Sequence, residues 1–504
     1  MKKVPIQILT VFTLILLGKI AAFLRDVLLS STFGAGGQTD AFFIANAVPG
    51  LIFSGVFATI ALVVLPIYIR DTNDEDGSRS LFLHTAFVLY LGIAVGLAIF
   101  CILFAKALCA YIAPQAPEAT LALAAQITRI LALGFIFTSW VGLHNAVQQA
   151  NKSFVWPNIV PVLNHAIVVL GIFLAALAGS SIITVAIAAT LGWALQAPLH
   201  WMLARRFYTL KPARLLHPDP KFIRHLLLLS VPVFISISLD QFNTILDLFL
   251  GSGFGEGALT HLSFAFRLTI LIGGIFAIPV SFFVFPYLSD SLSAENTGQT
   301  RSLLMRGVSL VLVLTLPMLV YTFLEAEALV SLIFKRGAFS EEDVIQTAAI
   351  LKMYVIGTVF IGLREVLNRV LIADQNTKLL ILFSAISVTV HFVVSQMLMP
   401  TMGLRGIALG ATIGTAIFVI MQLAYLVLYR RSFVSPHLLT MLIALALSCS
   451  ITVYAKGLLV NVIPFTGAAR LITDVAALSV VYFGSLAICG GCVYAIWRVK
   501  LWKL

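Results

Sequence analysis

Apolar stretches of about 20 residues recur from one end of the chain to the other, separated by short segments rich in charged residues, Gly or Pro. A stretch of that length crosses the hydrocarbon core of a bilayer as an α-helix. The dyad alternation that marks a membrane β-barrel is not found in the sequence. The pattern therefore predicts an all-α polytopic membrane protein. Its fourteen helices are expected at residues 5–31, 39–69, 81–110, 119–150, 155–178, 181–207, 222–251, 258–289, 302–324, 343–374, 378–398, 404–429, 435–456 and 474–497.

Composition supports the same conclusion and excludes a soluble protein. Hydrophobic residues make up 60% of the 504 residues and charged residues 11%, whereas an ordinary soluble domain has about a quarter of its residues charged. The 32 Lys and Arg residues outnumber the 21 Asp and Glu residues. These basic residues lie at the ends of apolar segments and form no patch interleaved with aromatic residues, so no nucleic-acid partner is expected.

The basic residues also predict how the chain is oriented. If both termini are cytoplasmic, nineteen Lys and Arg residues fall on the cytoplasmic side and six on the other. This asymmetry follows the positive-inside rule, and an even number of spans places both termini on one side. We therefore expect a multi-pass membrane protein with both termini in the cytoplasm, in contact with membrane lipids.

No segment between the predicted helices is long enough to form a catalytic domain. Its longest connection, around residues 205–224, has about twenty residues and no other loop is much longer. The acidic segment Asp71 to Gly77 lacks the alternating ligands and terminal Glu of a calcium loop. We therefore predict no catalytic residues, no cofactor and no metal site.

The chain contains an internal duplication. DVLLSSTFGAG, from Asp26 to Gly36, matches DLFLGSGFGEG, from Asp247 to Gly257, at six of eleven positions with an offset of 221 residues. The match predicts two six-helix lobes, residues 1–215 and 216–432, followed by two further helices in residues 433–504. Six helices per copy give both lobes the same orientation, which is typical of transporters that rock two lobes around a central site.

Ionisable residues inside apolar helices cost at least about 2.5–3.5 kcal/mol each on insertion scales, and they usually mark function. Lys19 and Asp26 lie on one face of the first helix, and their repeat counterparts are Asp240 and Asp247. One copy would thus favour an anionic substrate and the other a coupling cation. Alternatively, Lys19 and Asp240 form a salt bridge that holds a closed state, and both can be true in turn.

Two arginines point to a phosphate-bearing substrate. Arg25 and Arg267 have no acid on their own helices other than Asp26, and neighbours in sequence do not face each other on a helix. Arginine stays charged and binds phosphate with two hydrogen bonds, so the pair suits a pyrophosphate. The alternative is that both snorkel to lipid headgroups. Arg364 and Glu365, inside the tenth helix, are candidates for cation coupling or gating.

Two motifs resemble the MurJ/MviN lipid II flippases of the multidrug/oligosaccharidyl-lipid/polysaccharide exporter superfamily. They are GKIAAFLRDVLLSSTFGAGGQTDAFF, from Gly18 to Phe43, and LIFKRGAFSEED, from Leu332 to Asp343. The resemblance implies translocation of undecaprenyl-diphosphate-linked peptidoglycan precursor to the outer leaflet by alternating access, and contact with cell-wall synthesis proteins. It also implies substrate-binding residues, namely Lys19, Arg25, Asp26, Asp40 and Arg267.

Three other functions compete with this one. The family commonly has an arginine in helix 2 where this chain reads PGLIFSG, from Pro49, and an acid where it has Ile270. A flippase for another lipid-linked oligosaccharide, of O-antigen, capsule or exopolysaccharide, therefore stays open. A cation-coupled drug antiporter would need acids in the N-terminal cavity, where this chain has Lys19 and Arg25. A scaffold would gain nothing from buried arginines.

Overall fold

The computed structural model describes residues 3–70, 78–208, 218–293, 297–373, 377–428, 436–459 and 467–497, and some side chains within these ranges lie outside the description. Seventeen helices lie in the described ranges. They are α1 (Lys3–Phe33), α2 (Gly37–Arg70), α3 (Ser78–Ile112), α4 (Glu118–Ala132), α5 (Gly134–Ala150), α6 (Val155–Ala178), α7 (Ile183–Ala204), α8 (Pro220–Gly251), α9 (Ala258–Ser293), α10 (Thr297–Leu324), α11 (Ala326–Phe334), α12 (Glu341–Val355), α13 (Thr358–Ala373), α14 (Thr377–Met402), α15 (Leu404–Leu428), α16 (Pro436–Leu459) and α17 (Gly467–Trp497).

The helical prediction is confirmed. Each of the fourteen predicted segments coincides with one helix or with two consecutive helices. The segment at 119–150 is divided into α4 and α5, and the segment at 343–374 into α12 and α13, which are bent by 42°. Among the described residues, nine helices are long and apolar enough to cross a membrane, or ten if the bent pair counts as one span. The acidic segment at residues 71–77 lies outside the described residues.

The chain divides into two compact units. Unit 1 comprises Met1–Thr260 and Arg336–Ser340, and unit 2 comprises His261–Lys335 and Glu341–Leu504. The division into lobes at residues 1–215, 216–432 and 433–504 rests on the sequence repeat and stays a prediction.

The core of unit 1 is built from α2, α3, α5 and α8. Apolar side chains from these four helices form one buried cluster, which includes Ile60, Phe87, Leu143 and Leu226. Helix α1 packs along α6, and α6 packs along α7. The first of these contacts sets the charged part of α1 against α6.

Small residues permit the close packing of α14 and α15 in unit 2. Gly406, Gly410 and Gly414 recur every four residues along one face of α15. A Cβ at these positions would meet Leu398, Ser395 and Ser387 of α14, and the Ser387 hydroxyl donates to the Gly414 carbonyl at 2.8 Å. In lipid the hydrophobic effect does not drive helix pairing, so this close approach and its hydrogen bond stabilise the pair.

A buried charge cluster fixes the last two helices within unit 2. Lys456 of α16 forms ion pairs with Glu325, at the break between α10 and α11, and with Asp474 of α17. The Asp474 side chain is only 2% exposed. Arg470 lies near the same carboxylate, with its Nε 3.9 Å from Asp474 Oδ2. Neutralised in this way, the carboxylates can stay within an apolar bundle.

We expect Gly410→Leu to destabilise the protein by about 1–3 kcal/mol, because the new side chain would press against the backbone of α14. Thermal unfolding of the full chain in detergent measures the effect. Gly457→Leu is the matched control, since a Cβ at Gly457 meets nothing within 4 Å. Equal unfolding temperatures for the two variants would show that α14 and α15 do not depend on close packing at Gly410.

We expect Lys456→Met to destabilise unit 2 by about 2 kcal/mol, because the buried Asp474 loses its main partner. The value is below the about 3–5 kcal/mol of a broken buried pair, since Arg470 remains nearby. Lys352→Met is the control, because its Glu327 partner is exposed, and such pairs contribute at most about 1 kcal/mol. Unfolding is measured by calorimetry. A larger loss of stability in Lys352→Met than in Lys456→Met would contradict the prediction.

Candidate functional site

Arg25 and Asp26 form an ion pair within α1. Arg25 donates from Nε and Nη2 to the same oxygen, Asp26 Oδ1, at 3.1 and 2.8 Å. The sequence-based expectation that Arg25 has no partner on its own helix was wrong, because the long arginine side chain curls back over its neighbour. Asp26 is 5% exposed, whereas 21% of the Arg25 side chain is exposed. The pair is therefore neutral, with its cation on the accessible side.

The other predicted charges of unit 1 lie on α1 and α8. Lys19 is partly buried, two turns before Asp26 on the same helix. Asp247, the repeat counterpart of Asp26, is buried near the end of α8. The side chain of Asp240 lies outside the described residues. The salt bridge between Lys19 and Asp240 therefore stays a prediction.

Asp40, in the first turn of α2, caps the beginning of α9. Its Oδ2 accepts from the Gly257 N–H at 2.7 Å, and its Oδ1 accepts from the Thr260 N–H at 2.7 Å and from the Thr260 hydroxyl at 2.6 Å. The first N–H groups of a helix have no partner within the helix, and a carboxylate there also gains from the helix dipole. Asp40 is only 3% exposed. Its oxygens are thus occupied by a helix that begins 218 residues later.

A second contact lies just past the end of α1, where two backbone segments touch. The Ala338 N–H donates to the Ser31 carbonyl at 2.8 Å. Gly34 and Gly337 both have positive φ, 63° and 56°. A Cβ on Gly34 would collide with the Ala338 carbonyl, and a Cβ on Gly337 with the Ser31 carbonyl. Only glycine fits at either position.

We call these two contacts, Asp40 with Gly257 and Thr260, and Ser31 with Ala338, the latch. Both lie within unit 1. The latch joins the end of α1 and the start of α2 to segments that follow much later in the chain. It also unites the two motifs on which the family resemblance rests, since Ser31 and Asp40 belong to the first and Ala338 to the second. The sequence showed both motifs but gave no sign that they meet.

Unit 2 contains the remaining predicted residues. Arg267 lies on α9 and is partly buried. Arg364, on α13, places its guanidinium 4.6 Å from the centre of the Phe418 ring, a cation–π contact. Glu365 follows it and is partly buried. A shared cleft of Arg25 and Arg267 stays a prediction, because the two residues belong to different units.

Two histidines were missed as functional candidates from the sequence. His261 stands at the repeat position of Asp40, and its ring nitrogens lie 2.9 Å from Thr347 Oγ1 and 3.6 Å from Asp343 Oδ1. His165, on α6, interacts electrostatically with both Arg25 and Asp26. The 221-residue offset would have identified the first. Nothing in the sequence places the second beside α1.

The described part of the chain holds no group of three or more His, Cys, Asp or Glu residues that could bind a metal ion.

Comparison with known families gives a match over most of the chain. The profile of the family "Lipid II flippase MurJ" matches residues 29–470. The probable lipid II flippase MurJ of Buchnera aphidicola subsp. Baizongia pistaciae is 28% identical, over 72% of this chain and 71% of that protein. The corresponding protein of Thermotoga maritima is 27% identical, over 78% and 80%.

Two solved structures show the same fold. The structure described as lipid II flippase MurJ in an inward closed conformation has a TM-score of 0.82 and 22% identity, covering 97% of this chain and 99% of its own. An inward-facing multidrug resistance MATE transporter of the MOP superfamily has a TM-score of 0.67 and 13% identity, covering 83% and 96%. At these identities the likeness shows the fold, a multi-pass membrane fold shared with transporters.

The family profile spans far more than half of the 504 residues and includes every residue of the latch. This protein therefore belongs to the lipid II flippase MurJ family.

Proposed function

We propose that this protein translocates lipid II, the undecaprenyl-diphosphate-linked precursor of peptidoglycan, from the cytoplasmic to the outer leaflet of the bacterial cytoplasmic membrane. The observation that carries the proposal is Arg25, a partly exposed arginine held inside an apolar helix by a buried carboxylate. A charge kept there at a cost of several kcal/mol is expected to bind an opposite charge on the substrate.

The physical task suits a protein without catalytic residues. The diphosphate and sugars of lipid II cannot cross about 30 Å of hydrocarbon unaided. The polyprenyl tail never needs to leave the lipid. A polar cleft that is exposed to each side in turn therefore suffices, and no covalent bond is made or broken.

Asp26 prepares Arg25 for this task. The carboxylate occupies Nε and Nη2 of Arg25, so Nη1 is not part of the pair. The guanidinium is thereby held in one orientation, while Nη1 stays available for the substrate. Because Arg25 is pre-oriented, less side-chain entropy is lost when a diphosphate binds. Lys19, two turns away, and Arg267 are proposed to supply further positive charge.

The latch is proposed to be the outer gate. With a cytoplasmic N-terminus, α1 ends on the outer side, and the latch lies just beyond that end. Alternating access requires these contacts to break when the site opens outward. Asp40 is therefore assigned to gating rather than to substrate contact, because all three donors it binds are protein groups.

Asp240, Asp247, Arg364 and Glu365 are proposed to couple transport to a cation or to gating. The rationale is their charge within apolar helices and the exchange of Lys19 for Asp240 between the two repeat copies. Lipid-linked saccharides and membrane lipids are the proposed partners, together with cell-wall synthesis proteins.

A second candidate is a flippase for a different lipid-linked oligosaccharide. It is favoured by Ile270, which stands where the family often has an acid, and by the segment from Pro49 to Gly55, which lacks an arginine. Both candidates share the diphosphate, so rescue of a lipid II flippase-depleted strain distinguishes them. Rescue supports lipid II as the substrate, whereas failure with normal membrane insertion favours the second candidate.

We expect Arg25→Ala and Arg267→Ala each to reduce lipid II translocation about 10-fold or more, because a hydrogen bond to a charged group contributes about 1.5–3 kcal/mol. Translocation is measured with lipid II in proteoliposomes and by rescue of the depleted strain. Arg129→Ala is the matched control, since Arg129 lies in an apolar helix but is exposed and bonded to the Ile102 carbonyl.

Membrane levels of all three variants are compared by immunoblot. If Arg25→Ala and Arg267→Ala rescue growth as well as Arg129→Ala does, the arginines do not bind the headgroup.

We expect Asp40→Asn to open the latch about 5- to 30-fold more often, because the change removes a charge-assisted cap worth about 1–2 kcal/mol. Ser30→Cys provides the reporter, since Ser30 is fully buried beside the latch. The rate of maleimide labelling at this position, above the background of the native cysteines, measures opening.

Asp219→Asn is the control, because Asp219 caps α8 through the Lys221 N–H and lies far from the latch in the sequence. Gly337→Ala should act like Asp40→Asn, since its methyl group would collide with the Ser31 carbonyl. Unchanged labelling in both latch variants would mean that these contacts do not control access.

A further inference from the structure

His165 of α6 lies beside the Arg25–Asp26 pair and has no role in the transport scheme above. Helix α6 packs along α1, and His165 interacts electrostatically with both residues of the pair. Its Nδ1 atom is buried and has no hydrogen-bond partner among the described residues. A buried polar atom without a partner costs about 1–3 kcal/mol. This unsatisfied polar atom lies on the helix that packs along α1, next to the proposed headgroup site.

Binding an anion at Arg25 creates an excess of negative charge there. Asp26 is nearly fully buried, and its negative charge is paired with Arg25. A diphosphate diester brings about two more negative charges. At an effective dielectric constant near 20, two unit charges about 4 Å apart interact by about 4 kcal/mol. A second cation at the pair would offset this repulsion.

His165 is the neighbouring group that can become a cation. The charged groups that act on it are Arg25 and Asp26 of α1. The titratable histidines of α5 and α7 are engaged elsewhere, His144 with Trp140 and Tyr208, and His200 with Gln148. Arg25 and Asp26 carry opposite charges and act on the partly buried imidazole in opposite senses. Added negative charge favours the imidazolium.

We propose that His165 is the third member of the headgroup site and takes up one proton when the diphosphate binds. The proton comes from the aqueous phase and adds to the unprotonated ring nitrogen, giving an imidazolium with two N–H donors. No bond of the lipid changes. The imidazolium balances Asp26 while Arg25 turns its free edge to the diphosphate. This inference rests on the proposed function, because it assumes that the anion binds at Arg25.

The duplication gives a histidine at the related position of the second copy. His391, 226 residues later on α14, is fully buried in unit 2. Its neighbourhood differs, since its carbonyl and side chain pack against the glycines of α15.

The test measures lipid II binding to the full chain in nanodiscs between about pH 6 and about pH 8, on both sides of the ordinary histidine pKa of about 6.5. Lipid II is the probe because its diphosphate is a diester and does not itself titrate there. We expect the affinity of the unaltered protein to fall with rising pH, by up to about 10-fold per pH unit for one linked proton. His165→Asn should show no such slope, and it should bind as weakly as the unaltered protein does at high pH.

Calorimetry in buffers of different ionisation enthalpy counts the protons directly. We expect about one proton per lipid II bound by the unaltered protein and about none by His165→Asn. His225→Asn is the matched control, because His225 is exposed on α8, and it should keep both the slope and the proton. If His165→Asn does not fold, the proton count of the unaltered protein decides alone.

Two outcomes separate this inference from the proposed function. If Arg25→Ala binds lipid II as tightly as the unaltered protein at every pH, the proposed headgroup site itself is wrong. If Arg25→Ala loses binding, but the unaltered protein takes up no proton or His165→Asn keeps the pH slope, only the role of His165 is wrong.

Discussion

A charge inside hydrocarbon must be neutralised by a partner close at hand, and the rest of this structure depends on that constraint. Arg25 is neutralised by Asp26 within one turn of α1. Lys456 of α16 is neutralised by Glu325, at the break between α10 and α11, and by Asp474 of α17. The two solutions differ in exposure. The Lys456 cluster is closed and fixes the C-terminal helices, whereas the Arg25 guanidinium keeps an accessible edge. An arginine that is already paired with a carboxylate and keeps one edge accessible can change its partner at a small free-energy cost. An isolated charge in the same apolar surroundings would cost far more.

The backbone N–H and C=O groups at helix ends also need partners when they lie away from water. The first N–H groups of α9 are capped by Asp40 from a distant part of the chain, and the Ser31 carbonyl beyond α1 accepts from Ala338. Water can satisfy the same groups at the membrane surface when these contacts separate. Contacts between helix ends can therefore break and re-form, since water can take the place of either partner. Interior turns of a membrane helix could not be used in this way.

The sequence predicted the helices well because hydropathy is a local property. All fourteen segments were found from apolar runs alone, and the breaks at Leu133 and between α12 and α13 were missed because both sides of each break are apolar. The site was predicted only in part. Arg25 and Asp26 were identified by charge, but their pairing depends on a side-chain conformation. The cap at Asp40 and the position of His165 depend on contacts between residues more than 130 apart, which one sequence does not reveal.

The duplication explains why the two copies cannot act alike. It kept ionisable residues at matched positions but changed their chemistry, with Lys19 against Asp240 and Asp40 against His261. Asp40 accepts hydrogen bonds from three donors, so it can hold the beginning of α9 whenever the latch is closed. The imidazole of His261 contacts Thr347 and Asp343 instead, where it can serve either as donor or as acceptor. The repeat thus places a carboxylate that caps a helix at one position and an imidazole that contacts two side chains at the matched position.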